Sequence, residues 1–188
     1  MKRTLTALAL ALALPFGAQA ADLSYSYIEG GWQKFDIDGG TNSDGWVANG
    51  SAALGENFHI YGGYGQSELD NTSIDADTWR LGVGWNTGIS DNSDLVVRAN
   101  YVEASVDIPV LGDVKSDGYE AEVGVRSAFG DRFETYAAAG YIDIESGSGD
   151  FYGKLGGQYK FTPAFGIVAQ ATLADGGNEY FVGPRLSF

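Results

Sequence analysis

The side chains able to do chemistry are carboxylates, a smaller number of bases and one histidine. The 188-residue chain has 25 Asp and Glu, 11 Lys and Arg, one His and no Cys. Without cysteine, thiolate catalysis and disulfides are excluded. His59 is the second residue after a short turn, at the opposite end of its segment from the acids of the long connections. A lone interior histidine is more often a hydrogen-bonded filler than a general base, so we predict no enzymatic activity and no cofactor.

Nine charged residues of both signs form a second candidate site. They alternate with apolar residues along extended segments and comprise Glu29, Arg80, Arg98, Glu120, Glu122, Arg126, Glu134, Lys154 and Arg185. The height of a residue in the barrel can be counted in residues from the nearest short turn. By this count, Arg126 lies beside Glu134 and Arg98 lies beside Glu122. Glu29 pairs with Arg185 where the first and last segments meet, and Arg80, Glu120 and Lys154 share one height. Because a charge in a confined interior needs a partner, we predict a hydrogen-bonded charge network.

The segments that carry these residues have a period of two, which is typical of β-strands. Ten such segments lie near 24–35, 46–55, 58–68, 78–88, 94–105, 117–127, 132–143, 151–161, 165–174 and 179–188. Long connections rich in Gly, Asp, Asn and Ser alternate with short ones, and consecutive segments are close enough for antiparallel hairpins. We predict an all-β, closed, antiparallel up-and-down barrel of ten strands. Eight strands are the alternative. The last hairpin, whose connection is only 175–178, is the part of the ten-strand pattern that the sequence marks least clearly.

The amino terminus has the pattern of a cleavable secretory signal peptide. Lys2 and Arg3 precede the apolar run 5–14, and Ala18-Gln19-Ala20 has the small-x-small spacing of a cleavage site. A membrane anchor would need about 20 apolar residues, and this run ends at Pro15. We predict a signal peptide at 1–20, secretion through the inner membrane and a barrel domain at 21–188.

Aromatic residues on the apolar face of the segments occur at two levels. The set includes Trp32, Trp46, Tyr64, Trp79, Trp85, Tyr101, Tyr119, Phe133 and Tyr141. Mostly small aliphatic residues lie between the levels, whereas core aromatics of a soluble domain would be scattered. Tyr and Trp favour a membrane interface, and lipid tolerates no open sheet edge. We therefore predict transmembrane β-strands with an aromatic girdle. A soluble periplasmic binding barrel, with its apolar face inward, is the alternative.

The carboxyl terminus continues the alternation and ends on an aromatic residue. Tyr180, Leu186 and Phe188 lie on the apolar face of the last segment. This pattern resembles the carboxy-terminal signature of bacterial outer-membrane barrels. The resemblance implies an assembly signal that the barrel-assembly machinery reads, with periplasmic chaperones as further partners.

The stretch at 23–32, Leu-Ser-Tyr-Ser-Tyr-Ile-Glu-Gly-Gly-Trp, supports a narrower resemblance. It is similar to a family of small outer-membrane proteins once proposed as secreted activators of a plant immune receptor. More broadly, residues 21–188 resemble OmpA- and OmpX-type barrels of Gram-negative bacteria. The resemblance implies an integral protein of the cell outer membrane, in contact with lipid and lipopolysaccharide, with a structural, surface-interaction, adhesion or stress role.

Two interpretations of the lumen stay open. Ten strands enclose more space than the eight that side chains just fill. Inward glycines such as Gly63, Gly65, Gly82, Gly84 and Gly124 could leave a narrow channel for small solutes or ions. The number of large charged groups instead favours a plugged lumen.

The long connections are rich in acids. Removing Lys2 and Arg3 with the signal peptide changes the formal charge from −14 to −16, and nucleic-acid binding needs the opposite sign. Asp36-x-Asp38-Gly39 resembles the start of a calcium loop but lacks the later ligands. We favour a solvated acidic rim and predict no metal site. Divalent cations that bridge the rim to lipopolysaccharide phosphates are a further hypothesis.

Overall fold

Ten β-strands make up the fold. The computed structural model describes residues 23–70, 72, 74–108, 112–144 and 149–188, and the predicted signal peptide at 1–20 lies outside these residues. The strands are β1 Tyr27–Ile37, β2 Ser43–Leu54, β3 Phe58–Leu69, β4 Asp75–Ser90, β5 Ser93–Ile108, β6 Gly112–Phe129, β7 Phe133–Ile144, β8 Asp150–Lys160, β9 Phe165–Ala174 and β10 Gly177–Ser187. Within the described residues, no helix is long and apolar enough to cross a membrane.

The strands close into one antiparallel barrel. Each strand pairs with its neighbours in sequence, and β1 pairs with β10 to complete the ring. The prediction of ten strands is confirmed, and eight strands is wrong. The last hairpin is a full member of the barrel because β9 and β10 pair along their whole length, from Ala174 opposite Gly177 to Phe165 opposite Leu186.

Four strands, β2, β4, β5 and β6, extend at least three residues further toward the long connections than the period-two pattern predicted. The connection predicted at 106–116 is mostly a continuation of the β5–β6 ladder, which still pairs Ile108 with Gly112. Val106 lies opposite Val114 in this extension, and β-branched pairs favour continued strand pairing. The Pro, Gly and Asp residues of the connection, which are typical of turns, concealed this pairing.

The outer face of the barrel is apolar. Leu81 and Val83 are 61% and 60% exposed, while Arg80 and its charged counterparts on other strands point inward. The inner apolar cluster is small and consists of Val47, Val168 and Phe181. A water-soluble barrel has the reverse arrangement, so the exposed surface is suited to hydrocarbon.

Candidate functional site

The lower part of the lumen, near the short turns, holds a compact ionic cluster. Arg126 donates from Nε at 3.0 Å and from Nη2 at 2.5 Å to Oε2 of Glu134. Gly130, with φ of 62°, forms part of the short turn between β6 and β7 that brings these two residues together. Lys160 contacts the other carboxylate oxygen of Glu134. The sequence placed Lys160 in the interior but did not assign it to the network.

Glu122 is the centre of the network at mid-height. Its carboxylate is 2.5 Å from Lys154 Nζ and 3.9 Å from Arg98 Nη1. The hydroxyls of Tyr136 and Tyr152 donate to it at 2.5 and 3.0 Å. The buried carboxylate is therefore compensated by two cations and two hydroxyl donors.

Glu120 lies one inward position above Glu122. It accepts a hydrogen bond from Asn100 Nδ2 at 2.8 Å and another from the Tyr152 hydroxyl. Lys154 Nζ is 3.9 Å from it. The predicted proximity of Glu120 and Lys154 is thus present.

Arg80 has a different ionic partner from the one its height suggested. Its Nη2 is 3.8 Å from Oε2 of Glu179. Glu179 is the first residue of the last predicted segment and is not among the nine charged residues predicted for the network. The structure places it inside β10, where it lines the lumen. The strand begins two residues earlier than expected, at Gly177.

Glu29 and Arg185 join the first and last strands from inside. Arg185 donates from Nε to Glu29 at 2.7 Å, and its guanidinium lies 4.1 Å from the centre of the Tyr27 ring. The β1–β10 ladder is interrupted beside this pair, between Glu29 and Trp32. Pro184 lies opposite the interruption and has no N–H to donate. The ion pair therefore closes the seam where the backbone ladder is weakest.

His59 fills space near the short-turn end. It is 1% exposed. Its Nε2 is 3.2 Å from Nε of Arg98, which can only donate, so Nε2 is the acceptor and Nδ1 carries the proton. Nδ1 then donates to Asn86 Oδ1 at 3.3 Å. These contacts with an arginine and an amide hold the ring in one orientation and provide no carboxylate to assist proton transfer.

The predicted inward glycines are packing positions for neighbouring side chains. A Cβ on Gly84 would lie 2.1 Å from His59 Nε2, and one on Gly63 would lie 2.0 Å from Asn49 Oδ1. The Tyr152 ring likewise lies where a Cβ on Gly140 would be. Side chains of neighbouring strands therefore occupy the space beside these glycines.

Residues 23–26, which we call the N-terminal plug, close the short-turn end. The sequence predicted a strand from residue 24, but β1 begins at Tyr27. Tyr25 turns inward, stacks on His59 with 4.8 Å between ring centres and donates to Asp94 Oδ2 at 2.8 Å. Arg126 Nη1 donates to the Ser24 carbonyl at 2.7 Å. Burial raises the pKa of the Tyr25 hydroxyl well above its usual value, so it remains a donor.

The tyrosines of the lumen were missed by the sequence analysis. Tyr27, Tyr61, Tyr136 and Tyr152 line the interior. Tyr27, Tyr136 and Tyr152 share the odd or even numbering of a charged inward residue on the same strand, as Tyr136 does with Glu134, and Tyr61 shares that of His59. This parity could have identified them.

The predicted girdle residues lie on the outer face. The upper rings contact one another from strand to strand, with Trp46 5.5 Å from Tyr64 and Tyr101 5.6 Å from Tyr119. The terminal residues Tyr180, Leu186 and Phe188 are also exposed. Acids of the long connections hold two rings, since Trp32 donates to Asp44 at 3.3 Å and Tyr64 donates to Asp77 at 2.5 Å. The sequence analysis did not foresee this role for the acids.

The acidic rim has local partners. Asp36 lies 2.9 Å from Lys34 Nζ, in contrast to the arrangement of a calcium loop. Across the described ranges, His, Cys, Asp and Glu side chains do not form a group of three or more that could hold a metal ion.

Comparisons with known proteins agree with this architecture. The sequence profile of the family described as "Outer membrane protein beta-barrel domain" matches residues 5–183. No curated protein matches the sequence. Among solved structures, the KdgM porin is similar with a TM-score of 0.50 and 11% identity, over 86% of this chain and 99% of the porin.

Two further solved structures are similar in fold. The translocator domain of the autotransporter NalP from Neisseria meningitidis has a TM-score of 0.50 and 14% identity, over 100% of this chain and 94% of that domain. The N-terminal β-barrel domain of Pseudomonas aeruginosa OprF has a TM-score of 0.47 and 12% identity, over 88% of this chain and all of that domain. The profile match covers most of the ten strands, so the chain belongs to the outer membrane protein β-barrel domain family.

Proposed function

We propose that this protein is a closed, non-enzymatic barrel of the outer membrane with a structural, surface-interaction, adhesion or stress role. The observation that carries the proposal is the set of contacts across the lumen. Arg126, Glu134 and Lys160 occupy its lower part, Glu122 and Lys154 its middle, and the N-terminal plug its short-turn end. A pore needs a continuous aqueous path, and contacts at three heights favour a lumen too narrow for one.

The proposed partners follow from the outer surface and the termini. The apolar wall and its rings are suited to membrane lipid and lipopolysaccharide. Tyr180, Leu186 and Phe188 are the proposed assembly signal for the barrel-assembly machinery, after transport by periplasmic chaperones. A signal peptide at 1–20 would direct export. Divalent cations at the acidic rim, and membership of the narrower family once linked to plant immunity, are proposals that rest on the sequence alone.

Fractionation and solute uptake test this function. We expect the protein in the outer-membrane fraction and extractable only with detergent. Vesicles that contain the purified barrel should take up small sugars no faster than empty vesicles. Extraction without detergent would favour the soluble periplasmic barrel.

A narrow channel is the second candidate, and the weak contact of Arg80 favours it. Arg80 and Glu179 are 3.8 Å apart and separate two cavities of the lumen. Movement of this one side chain would join those cavities. A channel of this kind predicts solute uptake that changes when Arg80 or Glu120 is replaced.

A further inference from the structure

A cavity of about 320 Å³, here called the vestibule, lies above the charge network at the long-loop end of the barrel. Phe35 and Ile37 of β1, Ile142 of β7 and Ala174 of β9 line its wall, and Arg80 and Glu179 lie at its base. Its volume is within the range of small-molecule sites. The deeper cavity of about 130 Å³ is lined largely by paired charges and glycines instead.

Part of the vestibule wall is apolar although it belongs to the inner face, and polar side chains such as Gln170, Thr172 and Asn178 line the rest. Ile37 is 42% exposed, and Phe35 and Ile142 line the same space. Apolar side chains that line a water-filled mouth gain stability when a ligand covers them. Nothing in the charge network explains their presence, because the network needs polar neighbours.

Arg80 at the base is held more loosely than the cations below it. Its nearest carboxylate oxygen is 3.8 Å away, against 2.5 Å for Lys154, Arg126 and Arg185. Its Nε is buried and has no hydrogen-bond partner among the described residues. The side chain is 35% exposed, so a small rotation would bring an N–H to an oxygen atom in the vestibule. A buried donor without an acceptor is unfavourable, and a ligand oxygen would remove that penalty.

The charges around the base select a neutral ligand. Asp36, Glu120 and Glu179 border the vestibule beside Arg80 and Lys154, and Lys34 lies 2.9 Å from Asp36. These opposite charges largely cancel, so the vestibule favours neither an anion nor a cation. We propose that the vestibule binds a small neutral molecule with an apolar body, which packs on Phe35 and Ile142, and an oxygen acceptor, which Arg80 contacts. This inference goes beyond the proposed function, since the site is present whether or not the lumen conducts.

Binding of three related probes to the full barrel in lipid nanodiscs tests the proposal. Benzylacetone is neutral with a carbonyl acceptor, phenylbutyrate is an anion and phenylbutylamine is a cation of similar size. Calorimetry should show binding of benzylacetone above that of empty nanodiscs and weaker binding of both charged probes. Tighter binding of phenylbutyrate, or no difference from empty nanodiscs, would overturn the proposal.

Variants locate the site. Arg80→Met keeps the aliphatic stem but removes the donors, and it should weaken benzylacetone binding by about tenfold, as expected for a hydrogen bond to a charged group. Ile142→Trp, or Ala174→Phe if the first does not fold, should abolish binding by filling the vestibule. Lys115→Met removes the same charge from the exposed β5–β6 hairpin and should change nothing. Folding is checked by migration of the unheated protein in gels. Wild-type affinity in both Arg80→Met and the filled variant would contradict the assignment.

Discussion

Glu122 shows how a buried carboxylate is maintained inside this barrel. Lys154 and two tyrosine hydroxyls contact it within 3.0 Å. Arg98 was predicted as a partner of Glu122 from its height, whereas Lys154 was predicted at the height of Glu120 and lies closer to Glu122. The two hydroxyl donors were not predicted. Tyr136 and Tyr152 are of the same residue type as the tyrosines of the girdle, and only their odd or even position along the strand shows that they point inward.

Removing the charge of Glu122 should be costly. Glu122→Gln leaves Lys154 buried with a weaker partner, and loss of one member of a buried pair destabilises by about 3–5 kcal/mol. Glu103→Gln is the matched control, because Glu103 lies 3.6 Å from the exposed Lys115 and such pairs contribute about 0–1 kcal/mol. Urea unfolding in lipid vesicles, followed by tryptophan fluorescence, measures both. Equal shifts in the two variants would show that Glu122 is not central to the network.

Two strand glycines on opposite faces of the barrel wall, Gly84 inside and Gly153 outside, should differ when they are replaced. Gly84→Ala forces a Cβ into the His59 ring, whereas a Cβ on Gly153 meets nothing within 4 Å. We expect about 1–3 kcal/mol of destabilisation from Gly84→Ala, as for overpacked cores, and no loss from Gly153→Ala. Unfolding midpoints compare them. A tolerated Gly84→Ala would indicate that the His59 ring is free to move.

At the scale of elements, strand number and order were predictable but strand ends were not. Alternation fixes which residues share a face, so all ten strands were found. It says little about where pairing stops, and β5 and β6 therefore continue to Ile108 and Gly112 beyond their predicted ends. At the other end, the same alternation continues through Tyr25, which turns into the mouth because Asp94, His59 and Arg126 contact it.

The N-terminal plug should shield the single histidine. Tyr25→Ala removes the ring that stacks on His59 and should make this histidine reactive toward diethyl pyrocarbonate. Tyr159→Ala removes an exposed outer ring and should leave the reaction as slow as in the wild type. Mass spectrometry of the modified peptide gives the rate without ambiguity, since the chain has one His. Fast modification of the wild-type protein would show that the plug is not seated.

At the scale of the whole molecule, the sequence predicted the orientation of the barrel wall because apolar and aromatic residues sort by face and by level. It could not determine whether the lumen is filled. That depends on which long side chains reach across from other strands, as Asn49 does into the space of Gly63 and Tyr152 into that of Gly140. Packing between strands, rather than composition along one strand, determines how much of the interior is filled.

The closed lumen is the central claim, and current recordings across planar lipid bilayers test it most directly. The purified barrel should insert without stepwise currents if, as we propose, the paired charges and the N-terminal plug block the aqueous path. A variant that combines Tyr25→Ala with Glu134→Ala should conduct if it folds. Regular stepwise openings of the wild-type protein, altered by replacement of Arg80 or Glu120, would contradict the account.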